Sequence, residues 1–277
     1  MVRIEVSEKS DAAMVLVLKG VPLEFANAIR RAALEEVPTL AVDYVVFYDN
    51  TSALSDEIIA HRVAMVPLKS DLALDRYRQP EECRTSSPPE GCYTSLYLEA
   101  ETGPQEERVI YSRDLKPQED PEVVPVYGDI PLIKLGPQQR VILEAWVRPG
   151  RGKEHIKWSP TTVSVLTHIP EVKVDAERCN LCRLCVERCP TKAISVADGR
   201  LVIDTTRCNL CRQCVSACEP EAIELSWRKD EYRLLIESSG SLKPERIFLE
   251  AVLQIKKKLA EFQRQFEEVF SVVGGES

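Results

Sequence analysis

Eight of the ten cysteines fall between Cys179 and Cys218, and they fall there as a duplicate. The first run reads Cys179-Asn180-Leu181-Cys182-Arg183-Leu184-Cys185 and closes on Cys189-Pro190. The second reads Cys208-Asn209-Leu210-Cys211-Arg212-Gln213-Cys214 and closes on Cys218-Glu219-Pro220. Each cysteine recurs at an offset of 29, and Ala193-Ile194 recurs as Ala222-Ile223 at the same offset. A fixed period that carries apolar positions along with cysteines marks a duplicated structural unit. Roughly fifty residues hold little apolar core of their own, so a segment of this kind depends on what its thiolates bind.

The spacing in both runs is C-x2-C-x2-C-x3-C. Three thiolates two residues apart wrap three corners of an iron–sulfur cube; the fourth cannot reach that cube and serves the other one. The pattern resembles the two-cluster ferredoxin domain over about fifty residues. On that spacing Cys179, Cys182, Cys185 and Cys218 hold one cluster, and Cys208, Cys211, Cys214 and Cys189 hold the second. The expected cofactors are two [4Fe–4S] clusters. The alternatives are two zinc sites or four disulfides, but zinc favours pairs of C-x2-C over triplets with a fourth cysteine at a fixed offset. One departure concerns Cys218, which is followed by Glu219 before Pro220 where the family has Pro directly. The cluster depending on Cys218 is therefore the less secure, and one cluster in a [3Fe–4S] form or unfilled is compatible with the pattern. Cys83 and Cys92 stand apart in a Pro-rich loop; two cysteines cannot close a zinc site, which leaves free thiols or a loop disulfide.

The rest of the chain sets the frame. Its 277 residues suggest two or three domains, and 44% hydrophobic with 29% charged residues is a globular balance. A formal charge of −8 carries no basic surplus, so little or no direct nucleic-acid contact is expected. No apolar run approaches the roughly 20 residues of a membrane span, and the first residues show no apolar core of a signal peptide. The expectation is a cytoplasmic protein with no membrane association.

An α+β fold is expected. Val2, Ile4 and Val6, then Met14, Leu16 and Leu18, alternate with other residues as in a hairpin packed on one face. Pro22 opens a helix whose apolar face is Phe25, Ala28, Ile29, Ala32 and Ala33. Val42, Tyr44, Val46 and Tyr48 alternate in a following strand, and Ser55 is placed to cap a short helix. Residues 70–92 and 103–139 read as loops with short strands; 94–99, 108–111, 140–147, 162–166 and 232–236 read as strands. A long helix over 244–270 carries the stripe Ile247, Ala251, Ile255, Leu259, Phe262, Phe266 and Val269. Part of that stripe suits the chain's own core and the remainder a partner helix.

The segment Phe25-Ala26-Asn27-Ala28-Ile29-Arg30-Arg31, with Glu35–Val42 after it, resembles the assembly helix and strand of RNA polymerase alpha-type subunits. So does Asp56–Leu68, with its Glu-x3-His-Arg-x4-Pro-Leu pattern over Glu57, His61, Arg62, Pro67 and Leu68. An alpha-type core carrying a ferredoxin-like insert resembles the archaeal assembly subunits of DNA-directed RNA polymerase, type D, over essentially the whole chain. The resemblance implies a dimerisation domain built from both chain ends, 1–45 and 226–277. It also implies a mainly β inserted domain at 46–170 and the ferredoxin-like domain at 171–225. It implies pairing with the small subunit L and nucleation of assembly of the two large subunits. Arg30, Arg31, Ile255, Leu259 and Phe262 are the candidate interface residues. His61 reads as a hydrogen-bonded structural histidine. The chain shows no catalytic triad, no phosphate loop and no Asp-rich magnesium loop, so no catalytic residue is assigned. The competing reading is an electron-transfer subunit of an oxidoreductase, against which the alpha-type flanks argue.

Overall fold

The computed structural model describes residues 2–85 and 87–273. The elements run β1 (Arg3–Lys9), β2 (Ala13–Lys19), α1 (Leu23–Glu35), β3 (Pro38–Asn50), α2 (Asp56–Ala64), α3 (Pro80–Cys83) and β4 (Thr94–Glu101). There follow β5 (Arg108–Tyr111), β6 (Lys116–Pro117), β7 (Pro131–Leu135), β8 (Arg140–Arg151) and β9 (Thr161–Val174). The chain ends with α4 (Leu184–Arg188), β10 (Ile194–Ala197), β11 (Arg200–Ile203), α5 (Gln213–Ser216), β12 (Ile223–Ser238) and α6 (Pro244–Val273). This is the α+β class expected.

The chain divides into two compact units. One holds the N-terminal residues to Lys9, Val15–Asn27 and Val165–Leu235; the other holds Ser10–Met14, Ala28–Ser164 and Ile236 onward. A four-stranded sheet runs in the order β1-β2-β12-β9. Its strand β2 alternates half-buried and buried residues, with Met14, Leu16 and Leu18 inward. The outer strand β1 differs from expectation, since all seven of its residues are exposed, Ile4 and Val6 among them. The alternation identifies a two-faced strand but cannot say that an edge strand has a cover within its own chain.

The second unit is built on the antiparallel sheet β3-β8-β4-β6. One face is packed: Leu96, Leu98, Val141, Leu143, Ala145 and Val147 are all buried. Helix α2 lies against β3 and β7, with Ile59 and Val63 inward. Ser55 takes the N-cap position, but its hydroxyl makes no capping hydrogen bond to the backbone. Helix α1 buries Ala26, Ile29, Ala32 and Ala33, whereas Phe25 is 42% exposed. Ile29, Ala32 and Ala33 are inward as expected and Ala28 is half-buried, but at the start of the stripe Ala26 takes the place expected for Phe25, whose ring lies outside it.

Two glycines at the end of β8 let other elements close in. A Cβ on Gly150 would stand 2.4 Å from the Trp158 ring, and one on Gly152 would stand 2.1 Å from the Leu34 carbonyl oxygen. Between them Arg151 reaches the Glu36 carbonyl and donates to Glu81 at 2.8 Å, and the Lys153 amide donates to the Glu35 carbonyl at 3.0 Å. These donors satisfy carbonyls that α1 leaves open at its C-terminus. Cys83 and Cys92 form a disulfide, with both residues buried.

Candidate metal centre

The cysteine segment leaves the first sheet along β9 and returns along β12. The return strand spans 16 residues, much longer than the expected 232–236. Its middle, Trp227–Asp230, is exposed and polar or aromatic, so its strand character comes from pairing and leaves no alternation to read.

Within the segment the sequence period reappears in the backbone. Asp175 and Asp204 open the halves, each carboxylate accepting amide hydrogens two residues on. The Cys182 amide donates to the Asn180 side chain at 3.2 Å, and the Cys211 amide to Asn209 at 3.3 Å. Leu181 and Arg183 take positive φ of 55° and 64°, and Leu210 and Arg212 take 60° and 62°. Lys192 and Glu221, also 29 apart, take 51° and 52°. Left-handed non-glycine residues are uncommon, and six in register with the cysteines mark a backbone wound for a purpose. The Ala193 amide donates to Cys189 Sγ at 3.2 Å and the Ala222 amide to Cys218 Sγ at 3.3 Å.

The cysteines fall into two groups. One cavity is lined by Cys179, Cys182, Cys185 and Cys218, with Leu201, Pro220 and Ile223 among its walls. The other is lined by Cys208, Cys211, Cys214 and Cys189, with Ile194, Ile203 and Leu225 among its walls. Each therefore takes three cysteines from one half and one from the other. All eight thiols are free of disulfides. Among the described residues no three His, Cys, Asp or Glu side chains converge closely enough for one metal ion. The donor set suits a larger group: four soft thiolates around an apolar-walled cavity.

Burial pushes the thiols of Cys185 and Cys214 up, helped in Cys185 by the neighbouring charge of Cys182. Cys189 goes the other way: burial opposes ionisation, but the Thr191 hydroxyl and nearby backbone amides outweigh it. Cys182 and Cys211, equivalent in the repeat, are both exposed. The small core between the halves consists of Cys185, Ile194, Cys214 and Ile223, which are again two pairs 29 apart.

The other candidates lie elsewhere. Arg31 is exposed and pairs with Glu35 at 3.5 Å, while the Arg30 carbonyl accepts from Ser164. On α6, Ile247 and Ala251 are fully buried and Ile255 half-buried, whereas Leu259 and Phe262 are 62% and 70% exposed. Phe266 and Val269 continue the exposed stripe. His61 sits exposed on α2; its carbonyl, rather than its ring, is hydrogen-bonded, to the Met65 amide. Sequence reasoning passed over Asn180, Asn209, Asp175, Asp204 and the left-handed positions, although the 29-residue period contained the signal for each.

The fold and its paired cavities define an α+β chain with a duplicated cysteine domain. The family model for the RNA polymerase Rpb3/RpoA insert domain matches residues 45–176, and that for the 4Fe-4S binding domain matches 172–195 and 201–224. DNA-directed RNA polymerase subunit Rpo3 of Aeropyrum pernix is 39% identical over 274 residues, 96% of each chain. Rpo3 of Methanothermobacter thermautotrophicus is 41% identical over 250 residues, covering 90% of this chain and 92% of that one. The DNA-directed RNA polymerase II subunit rpb3 of Dictyostelium discoideum is 33% identical over 288 residues, covering 96% and 95%. The chain belongs to the Rpo3 family of DNA-directed RNA polymerase subunits. No helix among the described residues is long and apolar enough to cross a membrane.

Proposed function

We propose that this chain is a non-catalytic assembly subunit of an archaeal RNA polymerase. It pairs with the small subunit L and, as a pair, nucleates assembly of the large subunits in the cytoplasm. The division of labour is a dimerisation domain (1–45 and 226–277), an inserted domain (46–170) and an iron–sulfur domain (171–225). The observation that carries the reading is α6: its stripe is buried at Ile247 and Ala251 but bare at Leu259, Phe262, Phe266 and Val269. A bare row of aromatic and aliphatic side chains on a 30-residue helix is a surface for another chain. Nucleotidyl transfer belongs to the large subunits, and this chain makes little or no nucleic-acid contact.

Two [4Fe–4S] clusters are held by Cys179, Cys182, Cys185 and Cys218, and by Cys208, Cys211, Cys214 and Cys189. Bound clusters supply cross-links between the halves and a capacity for one-electron chemistry. The chain's own residues wind the left-handed turns, donate amides to Cys189 and Cys218, and keep Cys185 and Cys214 from water. The exposure of Cys182 and Cys211 favours a second reading, in which the clusters exchange electrons with a partner.

The test is co-expression with the small subunit. Leu259→Asp places a charge in a desolvated seam and should weaken pairing by at least a hundredfold, with the chain still folded. Unchanged pairing would end the dimerisation reading. Elongation by assembled enzyme, measured with the clusters oxidised and then reduced, separates the two readings. Equal rates fit a scaffold; a reversible many-fold change fits electron exchange.

A further inference from the structure

The sheet β3-β8-β4-β6 has a packed face and an open one. On the open face the register sets Tyr44 beside Trp146, Val46 and Tyr97 beside Glu144, and Glu99 beside Ile142. Tyr44, Val46 and Tyr48 are 47%, 37% and 63% exposed. The rings are already ordered. Tyr44 stacks on Trp146 with centroids 5.9 Å apart, and Tyr93 meets Trp146 edge-on at 6.4 Å. The Tyr48 hydroxyl donates to Glu144 at 2.9 Å and that of Tyr97 to Glu99 at 3.0 Å. Aromatic side chains held in place lose little entropy on contact, which is why Tyr and Trp dominate binding hot spots.

The charge on this face is acidic. Glu99, Glu101 and Glu144 stand with Arg140, which pairs with Glu99 at 2.8 Å and more loosely with Glu101 at 3.9 Å. Lys116, opposite Tyr97 in the register, has its ammonium on the Arg113 carbonyl. Hydrogen bonding to Glu144 and Glu99 holds the Tyr48 and Tyr97 hydroxyls above the ordinary tyrosine range. Carboxylates among the rings repel a phosphate backbone. They suit a guanidinium or ammonium, which lies on an aromatic face and pairs with a carboxylate at its edge.

We propose that this open face docks an Arg- or Lys-bearing segment of another protein chain, laid across Tyr44, Tyr48 and Trp146 with its charge on Glu144. The proposal rests on the polymerase reading only for the identity of the complex: there the partner is a neighbouring subunit that does not need α6. The test places photoreactive p-benzoylphenylalanine at Tyr48 and irradiates the assembled complex purified through this chain. The expected result is an adduct to a second protein chain, at a peptide containing Arg or Lys. Glu144→Lys should lower the adduct yield at least tenfold, and Glu144→Gln less. Should Glu144→Lys fail to fold, the exposed Glu101→Lys serves, with a several-fold loss expected. An intact complex without a protein adduct overturns the proposal, as does an adduct to nucleic acid or a yield indifferent to the charge reversals. An adduct to a chain outside the polymerase supports the docking face and overturns the polymerase reading. A chain that purifies alone overturns both.

Discussion

The cysteine segment and the β3-β8-β4-β6 sheet solve the same problem by opposite means. The sheet buries Leu96, Leu98, Val141, Leu143, Ala145 and Val147, each at 1% exposure or less. At about 25 cal/mol per Å2 of apolar surface, such a row outweighs much of the ordering cost. The cysteine segment has a core of two isoleucines and two cysteines, contributed equally by the two halves. So small a core leaves the fold to the groups that the thiolates bind. One region is held by what it excludes from water, and the other, on the proposed reading, by what its thiolates coordinate.

The largest expected effect breaks that contrast from the metal side. Cys182→Ser together with Cys211→Ser, or removal of iron by an anaerobic chelator, should abolish amide protection across 175–222. Protection in β3, β4 and β8 should stay within a few-fold, as read by hydrogen exchange. Equal protection of the cysteine segment with and without iron would put its stability in its side chains. From the apolar side, Leu143→Ala should cost about 3 kcal/mol in the unit built on the sheet and leave iron per chain unchanged. Denaturant unfolding with parallel iron analysis checks both halves of that statement.

A smaller effect concerns the disulfide, the covalent aid of the apolar unit. Cys83→Ser with Cys92→Ser should lower that unit's stability by about 2–3 kcal/mol, the loop-closure value for a link nine residues apart. The same change should appear in the native chain on adding a reductant that leaves the clusters in place.

The smallest effect is electrostatic. Burial alone would raise the Glu36 carboxyl, but bonds from Lys258 and Lys153 hold it below its ordinary value. A depressed folded value means that its stabilisation is present above about pH 4.5 and fades as pH falls through the folded value. Glu36→Gln should therefore cost under about 1 kcal/mol at neutral pH, given the exposure of its lysine partners, and nothing in strong acid. Thermal melts across that range give the answer; a cost that grew on acidification would reverse the sign.

What a single sequence could convey differs between the two regions for the same reason that their cores differ. A duplication writes itself twice, so the cysteines, Asn180 with Asn209, and Ile194 with Ile223 share one period that needs no structure to see. The assembly of the sheet unit is written once. The alternation of Tyr44, Val46 and Tyr48 announces a strand, yet those side chains lie on the open face, because period two says nothing about which side is covered. Phe25 misled the reading of α1 because its size outvoted the small residue Ala26, which is fully buried while the ring is exposed. The closures at Gly150 and Gly152 depend on Trp158 and Leu34, and no local pattern joins residues so far apart. The exposed end of α6 was legible as a stripe too long for one small domain. Its bare half begins where the helix ceases to bury its apolar side chains.

Strands β9 and β12 enter and leave the cysteine segment without a break. A tether of glycine and serine would let such a domain tumble on its own and shield its host from whatever befell it. Two continuous strands behave as a pair of girders: they resist bending and pass torsion along their length. Collapse of the cluster cradles would therefore be felt as a twist at the hydrogen bonds beside β2, well before any contact with a distant surface changed. The segment shares its two flanking strands with the sheet that carries it, so its fate bears on that sheet directly.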